Sequence, residues 1–113
     1  MLEIIKQILG KNKCKIRFHW YYDPDFETSK WDNNFNLPLE DYIEPMSIGP
    51  IKISQLKWLE INPIEIRKIG RLMPEKEINH TKEIIDNLND NKVDFYFDGS
   101  LIKIENKDFN IPH

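Results

Sequence analysis

The chain has 113 residues, 31% of them charged and 40% apolar, with a formal net charge of −3. That length predicts one domain, residues 1–113, with a single core, and the balance of apolar and charged residues excludes an intrinsically disordered chain. Cys14 is the lone cysteine, which excludes an internal disulfide framework and fits a reducing cytosol.

The N-terminus reads Met-Leu-Glu-Ile-Ile-Lys-Gln-Ile-Leu-Gly. An acid at position 3 and a lysine at position 6 leave neither a basic leader nor a long apolar run, so no signal peptide is expected. No apolar run reaches the roughly 18 residues that a membrane helix needs. The expected location is the cytoplasm.

In chain order, Leu2, Ile5 and Ile8-Leu9 repeat at helical spacing, and Gly10 stands where a helix-ending glycine belongs. Residues 2 to 9 therefore read as a short amphipathic helix, with Glu3 and Lys11 suited to its dipole. Lys15 to Tyr22 alternates: Ile16, Phe18 and Trp20 (or Tyr22) on one face, Arg17, His19 and Tyr21 on the other. This predicts a half-buried strand. Asp23-Pro24 ends it, because the residue before proline is pushed out of helix and proline cannot donate to a ladder.

Residues 23 to 38 hold no clean period and read as a long ordered loop. From Gly49-Pro50 a β pattern resumes. Ile51 and Ile53 alternate, Leu56 to Ile61 forms an extended run ending at Asn62-Pro63, and Ile64, Ile66 and Ile69 continue as a further strand; one helix over 56 to 69 broken by Pro63 is the alternative, disfavoured because isoleucine dominates and proline sits mid-run. Asn79 is the predicted N-cap of a helix over His80 to Leu88. Val93 to Phe97 and Leu101 to Glu105 flank Asp98-Gly99, a hairpin signal, because glycine accepts the positive φ that a tight turn demands. A helix cannot bury its apolar stripe alone. The order therefore predicts an α+β fold, an antiparallel sheet with two helices packed on one face.

Charge is sorted along the chain. Residues 1 to 22 carry five bases and one acid, net +4; residues 23 to 44 carry seven acids and one base, net −6. The acidic stretch is interleaved with Phe26, Trp31 and Phe35. Acid plus aromatic is the composition of a surface for a basic partner. The residues expected to bind that partner are Tyr22, Asp23, Asp25, Phe26, Glu27, Trp31, Asp32, Glu40 and Asp41. The bland alternative is that the rings fold back as core, as Phe18 and Trp20 are expected to do.

Other chemistry is weaker in the sequence. His19, His80 and His113 show no metal-ligand spacing, so no metal and no cofactor is expected. Cys14 lies between Lys13 and Lys15, charges that lower a thiol pKa, but no histidine stands at a suggestive position. The paired acids Asp23 and Asp25, or Glu40 and Asp41, could do acid–base work if buried. The N-terminal lysines form no continuous basic face, and the neighbouring acids would repel phosphates, so nucleic acid is not an expected partner.

Trp58-Leu59-Glu60-Ile61-Asn62-Pro63, then Gly70 and Pro74, then Ile78-Asn79-His80-Thr81-Lys82-Glu83-Ile84 before a hairpin, together resemble a bacterial domain family with no established activity. The likeness spans residues 49 to 105 and implies no catalytic residues; the family pattern has Asp where Asn79 stands. In size, acidity and type the chain is also similar to immunity proteins of bacterial toxin systems. That second likeness implies a protein that binds and neutralises a basic toxin domain, such as a nuclease. The rival expectation is a small-ligand-binding domain or enzyme, whose pocket would lie between the sheet and the long loop with His19 or His80 near acids.

Overall fold

The computed structural model describes residues 1–21, 31–46, 49–68 and 70–106. Its elements are α1 (Leu2–Asn12), β1 (Lys15–Trp20), β2 (Phe35–Asn36), β3 (Tyr42–Pro45), β4 (Ile51–Lys52), a 3-10 turn (Ile53–Gln55), β5 (Leu56–Asn62), β6 (Ile64–Arg67), β7 (Lys76–Asn79), α2 (Thr81–Asp90), β8 (Tyr96–Asp98) and β9 (Leu101–Glu105). The fold is α+β with antiparallel pairing throughout the described strands.

The main sheet has the order β1-β5-β9-β8. Alternation gives it an inner face of Ile16, Phe18, Leu59, Ile61, Ile102 and Ile104, all fully buried. Leu2, Ile5, Ile8 and Leu9 of α1 and Ile84 and Leu88 of α2 join the same core. Each buried Ile or Leu contributes about 1.5–3 kcal/mol of hydrophobic free energy, so this layer carries the fold. A second small sheet, β2-β3-β4, is tied to it through Phe35, whose ring meets Phe18 edge to face at 5.7 Å. The β6–β7 ribbon stands apart from both sheets.

Several element ends differ from the sequence reading. Helix α1 runs past Gly10 to Asn12, and Lys13 takes the left-handed conformation that ends it (φ 54°). The added turn holds because the buried Asn12 side chain donates to Ile8 O at 3.0 Å. Helix α2 starts one residue later than expected, with His80 as its N-cap. Asn79 still serves the helix start: its Oδ1 accepts the Thr81 N–H at 2.9 Å. Residues 76–79, which the sequence reading did not assign, form β7 because they pair with β6.

The hairpin turn is displaced by one residue. Asp98 pairs with Leu101, so Gly99 and Ser100 are the central residues, and Gly99 carries the positive φ of 63°. Within the predicted loop, Asp32 forms a bridge to Ile16, and Phe35–Asn36 is a strand. Ile53 leaves the expected strand for the 3-10 turn. Among the described residues, no helix is long and apolar enough to cross a membrane.

Candidate functional site

The outer face of the main sheet carries the chemistry. Cross-strand register sets Arg17 opposite Glu60, Glu60 opposite Lys103 and Lys103 opposite Tyr96. The adjacent row is His19, Trp58 and Glu105. Period-two alternation forces this arrangement. The apolar residues of β1, β5 and β9 occupy the core face, and the residues between them face outward.

Glu60 is the centre of the first row. It is only 4% exposed although it lies on the outer face. Its Oε1 accepts from Arg17 Nη2 at 3.3 Å and from His19 Nε2. Burial pushes the His19 imidazole below its ordinary value, and the attraction of Glu60 offsets that only in part. At neutral pH His19 is therefore a neutral ring donating its Nε2–H to a carboxylate.

Two indoles flank this group. The His19 ring stacks on Trp58 with centroids 4.4 Å apart. Lys103, reaching over from β9, places its Nζ 3.8 Å from the Trp58 centroid. The Arg17 guanidinium lies 4.4 Å over Trp31. Each cation sits on an electron-rich ring face, a contact worth about 0.5–2 kcal/mol depending on desolvation.

A second histidine–carboxylate pair lies where β6 meets α2. Glu65 is buried; Arg67 donates to its Oε2 from Nε at 3.2 Å and from Nη2 at 3.1 Å, and His80 Nε2 meets its Oε1 at 2.9 Å. The His80 bond, reinforced by Arg67, holds the Glu65 carboxyl below its ordinary value. His80 Nδ1 also lies 3.7 Å from Glu83. Cys14 is buried nearby, and burial with the charges of Glu65 and Glu83 pushes its thiol up to about 11. It is a protonated thiol at neutral pH, not an activated nucleophile, whatever its lysine neighbours suggest in the sequence.

The residues expected to bind a basic partner divide into three groups. Tyr22, Asp23, Asp25, Phe26 and Glu27 lie outside the described residues. Trp31 and Asp32 lie against β1. Trp31 is half-buried under Arg17, and Asp32 is 7% exposed, its backbone N–H and C=O both bonded to Ile16 at 2.8 Å. Asp32 is thus not the open surface acid that its place in an acidic stretch suggests, because the bridge draws it against the sheet. Glu40 and Asp41 are exposed together at the turn into β3, where Asp41 takes a left-handed φ of 69° and its carbonyl accepts Ile53 N–H at 2.8 Å. Leu39 beside them is 69% exposed.

Sequence reasoning missed Glu60, Glu65 and Lys103. An acid inside an isoleucine- and leucine-rich run is a signal that could have found Glu60, since a buried charge demands a partner. Its partners Arg17 and His19, 43 and 41 residues away, depend on register. The rival expectation of a histidine near acids describes both His19 and His80.

Residues 3–106 match a family described as a family of unknown function (DUF6678), and the chain belongs to that family. The match includes the Trp58–Pro63 and Ile78–Ile84 segments that carried the resemblance in the sequence. No curated protein matches the chain, and no solved structure does.

Proposed function

We propose that this protein is a protein-binding domain for a basic partner, of the immunity type: it binds and neutralises a basic toxin domain. The observation that carries the reading is the concentration of charge, net −6 over residues 23–44 against near neutrality after them. Glu40 and Asp41 support it, as adjacent exposed acids beside the exposed Leu39. A cluster of one sign of charge speeds encounter with an oppositely charged partner by orders of magnitude, and apolar neighbours supply contact area.

The histidine–carboxylate pairs fit this reading as structural groups. Glu60 and Glu65 each hold a histidine and an arginine, so their charges are already paired inside the fold. Side chains joined in this way across β1 and β5 favour one arrangement of strands.

The test is capture of the tagged chain from its own host lysate, with mass spectrometry of what co-purifies near one-to-one. A basic C-terminal fragment of a large secreted polypeptide, whose toxicity this chain blocks on co-expression, is the expected result. A captured partner with no excess of basic residues would overturn the charge argument, and a basic partner whose activity persists in the complex would overturn neutralisation.

A further inference from the structure

A hollow of about 220 Å³ lies on the outer face of the main sheet, lined by the rings of Tyr21, Trp58 and Tyr96 and by side chains of β5 and β9. It is separate from the exposed acids that carry the protein-binding reading. Two lysines converge on it. Lys103 Nζ is 3.8 Å and Lys57 Nζ 5.0 Å from the centroid of the same Trp58 ring. Among the described residues neither ammonium meets a carboxylate within ion-pair distance. Two like charges held at one indole repel, and the carboxylate that lines the hollow, Glu105, lies outside ion-pair distance of both, so an anion between them lowers that cost.

The walls carry unmet hydrogen-bonding groups as well. Trp58 Nε1–H and Asn106 Oδ1 are buried and have no partner among the described residues, and both side chains line the hollow. The Asn106 amide is fixed in orientation, since its Nδ2 donates to Ile53 O at 3.3 Å and to Leu56 O. A buried unpaired donor and a buried unpaired acceptor on side chains that line one hollow call for an explanation, and an occupant of the hollow supplies one. Glu105 adds a second acceptor, held by the Tyr96 hydroxyl at 2.8 Å.

We propose that this hollow binds a small planar organic anion that also carries a hydroxyl, of the hydroxybenzoate type. The Lys103 ammonium stands over both Trp58 and Tyr96, at 3.8 and 5.5 Å from their centroids, so the guest ring would take its place beside these aromatic faces as the ammonium turns to the carboxylate. The carboxylate would take Lys57, Lys103 and the indole N–H, and the hydroxyl would donate to Asn106 Oδ1 or Glu105. The volume is below that of sites for drug-sized ligands, roughly 300–1,000 Å³, so the guest is a single substituted ring.

The test uses 4-hydroxybenzoate as probe and the Trp58 indole N–H resonance as readout, identified by its loss in Trp58→Phe. A saturable shift is expected, weakened at least tenfold in Lys103→Met and unchanged in Lys52→Met, which alters an exposed lysine away from the hollow. Phenol and inorganic phosphate, each lacking half of the recognition, should bind at least tenfold more weakly. If Lys103→Met loses its native spectrum, Lys57→Met carries the same comparison. No saturable shift at about 10 mM probe, where even a 1 mM dissociation constant gives near-saturation, would overturn the site. Equal affinity for phenol or phosphate, or for the lysine variants, would overturn the ligand class.

Discussion

His19 and Trp58 stack across the β1–β5 pair, with ring centroids 4.4 Å apart and planes 28° from parallel. Burial holds the imidazole below its ordinary value of 6.5; Glu60 favours the charged form, while Arg17 and Lys103 oppose it. An unfolded chain carries no such burden. On acidification the unfolded state therefore takes its proton first, and stability falls as pH drops below 6.5, levelling once the folded state also protonates. Glu65 acts in the same direction at lower pH. Its folded value is held below 4.5, so its contribution is present above 4.5 and is lost as pH falls through the folded value. Urea midpoints measured across this range should decline in two stages, and His19→Gln should remove the upper one. A midpoint unchanged from neutrality down to pH 4.5 would contradict the assignment of His19.

Glu60 is the residue whose loss leaves the most unpaired. Glu60→Ala strands the Arg17 guanidinium and the His19 ring N–H on a half-buried face. The expected cost is about 2–3 kcal/mol, less than the roughly 3–5 kcal/mol for breaking a fully buried pair, because Arg17 and His19 stay partly exposed. Glu60→Gln keeps an acceptor and should cost about 1 kcal/mol. Adding Arg17→Met to Glu60→Ala should cost less than the sum of the two single changes, because the arginine has already lost its partner. Denaturant unfolding of the four variants reads the coupling. Strict additivity would show that Arg17 draws its stability from Trp31 instead.

The parts of this fold that depend on local pattern were legible in the sequence. Ile16 and Phe18 alternate into the core as expected, and the Asp98-Gly99 signal located the hairpin to within one residue. What local pattern does not contain is pairing at a distance. Lys76–Asn79 has little strand character of its own and becomes β7 through β6. Asp32 lies in an acidic stretch yet is buried, because its backbone bridges Ile16, sixteen residues earlier. Arg17 and His19 look like ordinary strand polar residues, and only the β1–β5 register joins them to Glu60. The candidate site was readable as residue types and unreadable as a constellation.

Cys14 links packing to chemistry in a way that reagents can read. Its side chain is 1% exposed, and its thiol is pushed up to about 11, first by burial and then by Glu65 and Glu83. The native chain should resist a thiol-specific disulfide reagent at neutral pH and react fully once unfolded. Above pH 9 the unfolded state loses its thiol proton while the folded state keeps it, so stability should fall between about 9 and 11. The expected loss is of order 2 kcal/mol or less. Cys14→Ala should flatten this alkaline limb while costing some core packing. Fast native-state labelling would mean that the α1–β1 junction opens far more readily than its buried side chains imply.

Charge reversal separates steering from folding. Glu40→Lys/Asp41→Lys changes two exposed side chains, and surface substitutions of this kind stay within about 0.5 kcal/mol of neutral each. Asp41 adds a small backbone cost, because lysine tolerates its left-handed φ of 69° less well than aspartate does. Against a basic partner the same pair should slow association by tenfold or more at low salt, with dissociation little changed, as rim charges act mainly on encounter. Asp23→Lys/Asp25→Lys/Glu27→Lys, drawn from the same acidic stretch, should abolish partner binding without unfolding the domain. Raising the salt concentration should shrink both effects, since exposed charges are screened beyond a Debye length of about 10 Å at 0.1 M. Retained affinity in the triple variant would remove residues 23–27 from the contact surface, and a fast, salt-independent association in both variants would remove the acidic stretch altogether.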